Sequence, residues 1–144
     1  RNRARTSELR LTFAGLMSDS PSDQPVVLLV EDDGLLLMEA SDTLADAGFT
    51  VVEATHADKA LKVLENRDDV GVLMTVVDMP QGSMDGFALA RLVAYRWPSI
   101  PVLVVSGMGT PGPNDMPEGA RFIPKPYEPT TLVRTLQAFL RRAA

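Results

Sequence analysis

From Val26 onward, short apolar runs rich in β-branched residues alternate with amphipathic stretches, and this alternation constrains the fold more than any other feature of the chain. Val26-Val27-Leu28-Leu29-Val30 is apolar without interruption, the texture of a strand covered on both faces. Asp33 is then placed to cap a helix carrying Leu36, Leu37, Ala40, Leu44 and Ala47 at helical spacing, and Gly48 is placed to end it. Phe49 to Ala54 reads as a second strand. Thr55, with Asp58 three residues on, resembles a capping box opening a helix with Ala57, Ala60, Leu61 and Leu64 on one face. Val70 to Val77 is the third apolar run, and the helix expected after it presents Phe87, Ala90, Ala94 and Trp97, with Pro98 just past its end. Ile100 to Val105 and Ala120 to Ile123 read as the fourth and fifth strands. Pro129 opens a last helix aligned on Leu132, Leu136 and Phe139, with Arg141 and Arg142 at its dipole-favourable end. The pattern predicts an α/β, doubly wound, five-stranded parallel sheet with right-handed crossovers and a ligand crevice at the carboxyl ends of the strands.

One stretch departs from the alternation. Gly107 to Gly119 holds three prolines and four glycines, so the helix expected between the fourth and fifth strands should be short or absent. Residues 1–25 show no sustained periodicity, and Ser18-Asp19-Ser20-Pro21-Ser22-Asp23 has linker composition; they read as a flexible tail or linker ahead of one domain over 26–144. Leu9 to Phe13 is too short to be the apolar region of a secretory signal, and no apolar run approaches ~20 residues, so a cytoplasmic chain that does not span a membrane is expected.

Charge and composition exclude several chemistries. The net charge is −5, but the first 16 residues hold four arginines against one glutamate, which leaves 10 basic and 18 acidic groups on the rest. So acidic a body repels a phosphate backbone, and nucleic acid is not an expected partner. With no cysteine, thiolate metal sites, disulfides and cysteine nucleophiles are excluded. His56 is the only histidine; it falls at a helix start and reads as a solvent-exposed first-turn residue.

The residues at the expected strand ends are chemically coherent. Glu31-Asp32-Asp33 follows the first strand, Asp78 the third, Ser106 the fourth and Lys125 the fifth. Clustered carboxylates repel one another unless a hard cation sits among them, which points to Mg²⁺ held through oxygen. An ammonium and a hydroxyl facing such a cluster suit the oxygens of a phosphoryl group, whose transfer depends on positioning and charge neutralisation.

Val-Glu-Asp-Asp at 30–33, Asp-Met-Pro-x-Gly-x-Met-Asp-Gly at 78–86, Val-Ser-Gly at 105–107 and Lys-Pro-Tyr at 125–127 together resemble the receiver domain of bacterial two-component response regulators, over roughly Val26 to Leu140. The resemblance implies a flavodoxin-like receiver fold and membership of a phosphorelay. It implies that Glu31 and Asp32 bind the metal, with Asp78 contributing its main-chain carbonyl or side chain. Ser106 would be the hydroxyl that follows the phosphoryl group, Phe122 the aromatic that swings with it, and Lys125 the lysine that pairs with phosphate. It also implies a cis peptide at Lys125-Pro126, an isomer tolerated only before proline.

The family keeps its phospho-accepting aspartate three residues before the Met-Pro pair, and here that position is Val76. Valine has no nucleophile, and it also removes one metal-binding carboxylate, so Mg²⁺ binding should be weak or absent. The leading expectation is a receiver-type signalling module, not an enzyme, that has lost normal phosphorylation. It would act as a protein-binding domain, docking a histidine kinase or another signalling protein through the first helix and the loops around the crevice. The alternative is a functioning phospho-receiver in which Asp78, on the same side of the strand as Val76 by the period-two rule, accepts the phosphate from a histidine kinase after a register slip. The family forms dimers through its fourth helix, fifth strand and fifth helix; a homodimer stays open, but a reduced helix at 107–119 could not build that face in the usual way. A phosphatase on a similar sheet would want Asp-x-Asp-x-Thr after the first strand, and a flavodoxin-like cofactor binder a hydroxyl- and glycine-rich loop. Glu31-Asp32-Asp33-Gly34-Leu35 is neither.

Overall fold

A computed structural model describes residues 24–79 and 84–143. Five parallel strands, β1 (Val26–Val30), β2 (Thr50–Ala54), β3 (Val72–Val76), β4 (Val102–Ser106) and β5 (Arg121–Pro124), form one sheet in the order β2-β1-β3-β4-β5. Four helices are described: α1 (Gly34–Asp46), α2 (Ala57–Asn66), α3 (Gly86–Arg96) and α4 (Pro129–Ala143). The expected tail at residues 1–25 lies almost wholly outside the described residues, as do positions 80–83 of the loop after β3.

β1, β3 and β4 are buried at every position, as apolar-rich strands between two helical layers should be, with Thr75 in β3 and Ser106 in β4 the two polar residues among them. The strand period of two divides their side chains between two cores. Val27, Leu29, Val72, Met74, Leu103 and Val105 face α1 and α4, where they meet Leu37, Leu44, Leu132 and Leu136. Leu28, Val30, Leu73, Val102 and Val104 face α2 and α3, where they meet Ala60, Leu64, Leu89 and Val93. Each fully enclosed Val or Leu contributes about 1.5–3 kcal/mol, so these two layers hold the sheet whose carboxyl edge carries the polar residues.

Several residues sit differently from where the sequence pattern puts them. The α1 stripe is Leu37, Ala40 and Leu44, while Leu36 is exposed and Ala47 lies at the helix end in solvent. The α2 cap is His56, not Thr55: its Nδ1 accepts from the Lys59 N–H at 3.3 Å, so the histidine is a half-buried cap and not a residue of the first turn. The buried stripe of α3 is Gly86, Leu89, Ala90 and Val93; Phe87, Ala94 and Trp97 flank it half-buried. The stretch 107–120 holds turns and no helix, consistent with its prolines and glycines. This stretch is tied to α3 by Arg91, whose Nη1 donates to the Asp115 carbonyl at 2.7 Å, and Met116 packs on the α2–α3 core.

Candidate functional site

Register brings the polar residues together. Val76 pairs with Val105 and Ser106 with Pro124, so the residues just beyond β1, β3, β4 and β5 emerge along one edge. The ladder continues past the strands through Val77 N–H to the Val105 carbonyl at 3.2 Å and Lys125 N–H to the Ser106 carbonyl at 2.9 Å. The Lys125-Pro126 peptide is cis.

On the β1 side the charges are joined. The Glu31 side chain is only 6% exposed, and its Oε1 accepts from Lys125 Nζ at 3.0 Å across 94 residues of sequence. Its other oxygen, Oε2, accepts from the Asp33 N–H at 3.2 Å. Both oxygens of this buried carboxylate therefore have donors, as burial in low dielectric requires. Asp33 caps α1, its Oδ1 accepting from the Leu36 N–H at 3.0 Å, and Asp32 is exposed.

The β3 side is different. Val76, the last residue of the strand, is 6% exposed. Thr75 Oγ1 donates to the Val76 carbonyl at 2.8 Å, which ties the next-door hydroxyl to the backbone. Asp78 is exposed, two residues past the strand. The chain re-enters the sheet edge at Gly86, whose N–H donates to the Val77 carbonyl at 2.7 Å. A Cβ at Gly86 would fall 1.9 Å from the Val76 carbonyl oxygen, so only glycine allows this approach. Asp85 caps α3, its Oδ1 accepting from the Ala88 N–H at 2.8 Å.

Ser106 is buried, and its Oγ accepts from the Met108 N–H at 3.0 Å. Phe122 is half-buried against the α2–α3 core. A divalent cation does not fit this arrangement of side chains: Glu31 is taken by Lys125 and Asp33, Asp32 and Asp78 lie in solvent, and among the described residues no three His, Cys, Asp or Glu side chains gather closely enough to share an ion.

Residues 27–137 match the response regulator receiver domain. The chain belongs to this family. The receiver is 37% identical over 110 residues to the response regulator protein FleR of Pseudomonas aeruginosa, a match covering 74% of this chain and 23% of FleR. It is 32% identical over 125 residues to the sensor kinase CckA of Brucella abortus, covering 84% of this chain and 13% of the kinase. The receiver thus spans under a quarter of the length of these two relatives. Its fold is that of a response regulator receiver protein from Sinorhizobium medicae, with a TM-score of 0.78 and 24% identity over 85% of this chain and 98% of the other. Among the described residues of the receiver, no helix is long and apolar enough to cross a membrane.

Beside the Glu31–Lys125 pair the receiver carries a groove of about 520 Å³, walled by Leu36, Glu39 and Thr43 of α1 and by Pro126 and Tyr127 after β5. Burial, and secondarily the charges of Glu31 and Glu39, raise the pKa of Tyr127 above its ordinary value. Leu35, Leu36 and Met38 add exposed apolar surface on the same helix, at 60%, 39% and 55% exposure. Docking through the first helix and the loops around the crevice was expected from sequence, but the groove itself and a role for Tyr127 in its wall were not named; for the α1 wall a signal was present. Leu35-Leu36-Leu37-Met38 is four consecutive apolar residues on a helix, and a helix with one packed face cannot bury all four.

Proposed function

We propose that this receiver is a signalling module of a two-component phosphorelay in which Val76 stands where the family keeps its phospho-accepting aspartate. Normal phosphorylation is then lost, and the domain works by binding proteins, not by catalysis. The observation that supports this most is the burial of Val76 at the end of β3: a hydrocarbon closes the position from which a carboxylate oxygen would have to attack phosphorus. Reaching the site with Asp78 would require β3 to slip by two residues, which would pull Met74 and Val72 out of the α1–α4 core.

The partner in this reading is a histidine kinase or another signalling protein that covers the exposed leucines of α1 and the adjoining groove, since contiguous exposed apolar surface marks interaction sites. Ser106, Phe122 and Lys125 are retained in positions suited to a phosphoryl group but here serve the packing and charge balance of the crevice. Incubation with Mg²⁺ and acetyl phosphate followed by intact mass tests the reading. No gain of mass is expected; a gain of one phosphoryl unit that disappears in Asp78→Asn would replace this reading with the one in which Asp78 is the acceptor.

A further inference from the structure

We propose that the Lys125 ammonium is the resident cation of this crevice, a strut from β5 to the end of β1 that fills the place a divalent ion would otherwise take at Glu31. The inference deepens the reading of Val76 given above, because a hydrocarbon at 76 offers the lysine no competing carboxylate.

Three observations carry it. Glu31 is nearly inaccessible and Lys125 largely covered, with side-chain exposures of 6% and 27%, so the pair is shielded from the screening that makes surface ion pairs weak. Both Glu31 oxygens already have donors, Lys125 Nζ and the Asp33 N–H, and a metal at Glu31 would have to share the carboxylate with an ammonium 3.0 Å away. Asp32 and Asp78 are exposed, and among the described residues no three carboxylates gather to share an ion with Glu31. The strut also reaches the neighbouring surface. Glu31 and Lys125 both line the groove between α1 and the β5–α4 loop, so the pair holds the two walls of the partner surface at a fixed spacing without a bound ion. The ion pair replaces an external cofactor with an internal one, and the shape of the surface no longer depends on metal supply.

A double-mutant cycle on the full chain tests this, using Lys125→Met, Glu31→Gln and both together, with urea unfolding as the readout. Lys125→Met alone strands a buried carboxylate, whereas the double variant removes both charges. The double variant should therefore recover part of what Lys125→Met loses, with a coupling of about fivefold or more in the folding equilibrium constant. Melting in about 10 mM Mg²⁺ supplies the second arm: the parent chain should be unmoved, because binding that stabilises the folded state must raise the melting temperature. Additive losses in the cycle, or a parent chain stabilised by Mg²⁺, would overturn the proposal. A phosphoryl mass gain would sink the functional reading while leaving the coupling intact, so the two failures are distinguishable.

Discussion

The two sides of the crevice solve the same problem in opposite ways. Where β1 and β5 end, Glu31 and Lys125 neutralise each other at 3.0 Å, and a buried charge is kept by giving it a partner. Where β3 ends, the buried position is Val76, and the next carboxylate along the chain, Asp78, sits in solvent. Burial tolerates a charge only when it is paired and hydrogen-bonded. The crevice keeps its buried Glu31 by pairing it with a cation, whereas at Val76 burial is met with a hydrocarbon that needs no partner.

The comparison can be broken hardest at Gly86. Gly86→Ala would force the loop away from the Val76 carbonyl, and we expect a loss of about 3 kcal/mol in urea denaturation, because the clash is with backbone that cannot rotate aside. Wild-type stability in Gly86→Ala would mean that the β3 side is far more pliable than described. A smaller effect should come from the caps, which match on the two sides. Asp33→Ala and Asp85→Ala each remove one side-chain acceptor at a helix start and should each cost about 1 kcal/mol. Because Asp33→Ala keeps the backbone N–H that donates to Glu31, the two losses should be equal, and a distinctly larger loss at Asp33 would mean that the two caps are not equivalent. The smallest effect should appear at Tyr127, on the β5 side. Its pKa is raised above the ordinary 10.0, chiefly by burial, so the folded state holds the phenol proton more tightly than the unfolded chain. The associated stability is complete below about pH 10 and is lost as pH rises beyond it. Tyr127→Phe should flatten that alkaline decline in a pH series of melting curves, and an unchanged slope would mean that the ring is better solvated than its surroundings imply.

Much of the fold was legible because it rests on local patterns. The apolar-rich runs at 26–30, 70–77 and 100–105 announced buried parallel strands, which form at 26–30, 72–76 and 102–106, and Asp33 and Gly48 bracketed α1 through capping chemistry confined to a few residues. The details that failed depend on a third dimension. Thr55 carries the cap signal through its spacing to Asp58, yet the helix starts one residue later and the extended His56 takes the role with its imidazole. On α3, Phe87 and Trp97 attract the eye by size, but the smaller Leu89 and Val93 face the sheet. At the site, the motifs located Glu31, Ser106 and Lys125 at strand ends, yet no local signal joins residues 31 and 125. Their pairing follows from sheet order, which sets β1 and β5 apart with β3 and β4 between them and leaves a long side chain to bridge the gap.

In the proposed reading a single buried valine separates this crevice from phosphoryl chemistry. Intact mass of the parent chain and of Val76→Asp, treated side by side with Mg²⁺ and acetyl phosphate, tests it most directly. The account predicts one added phosphoryl unit on Val76→Asp and none on the parent. Phosphorylation of the parent, or a folded Val76→Asp that stays unmodified, would contradict it.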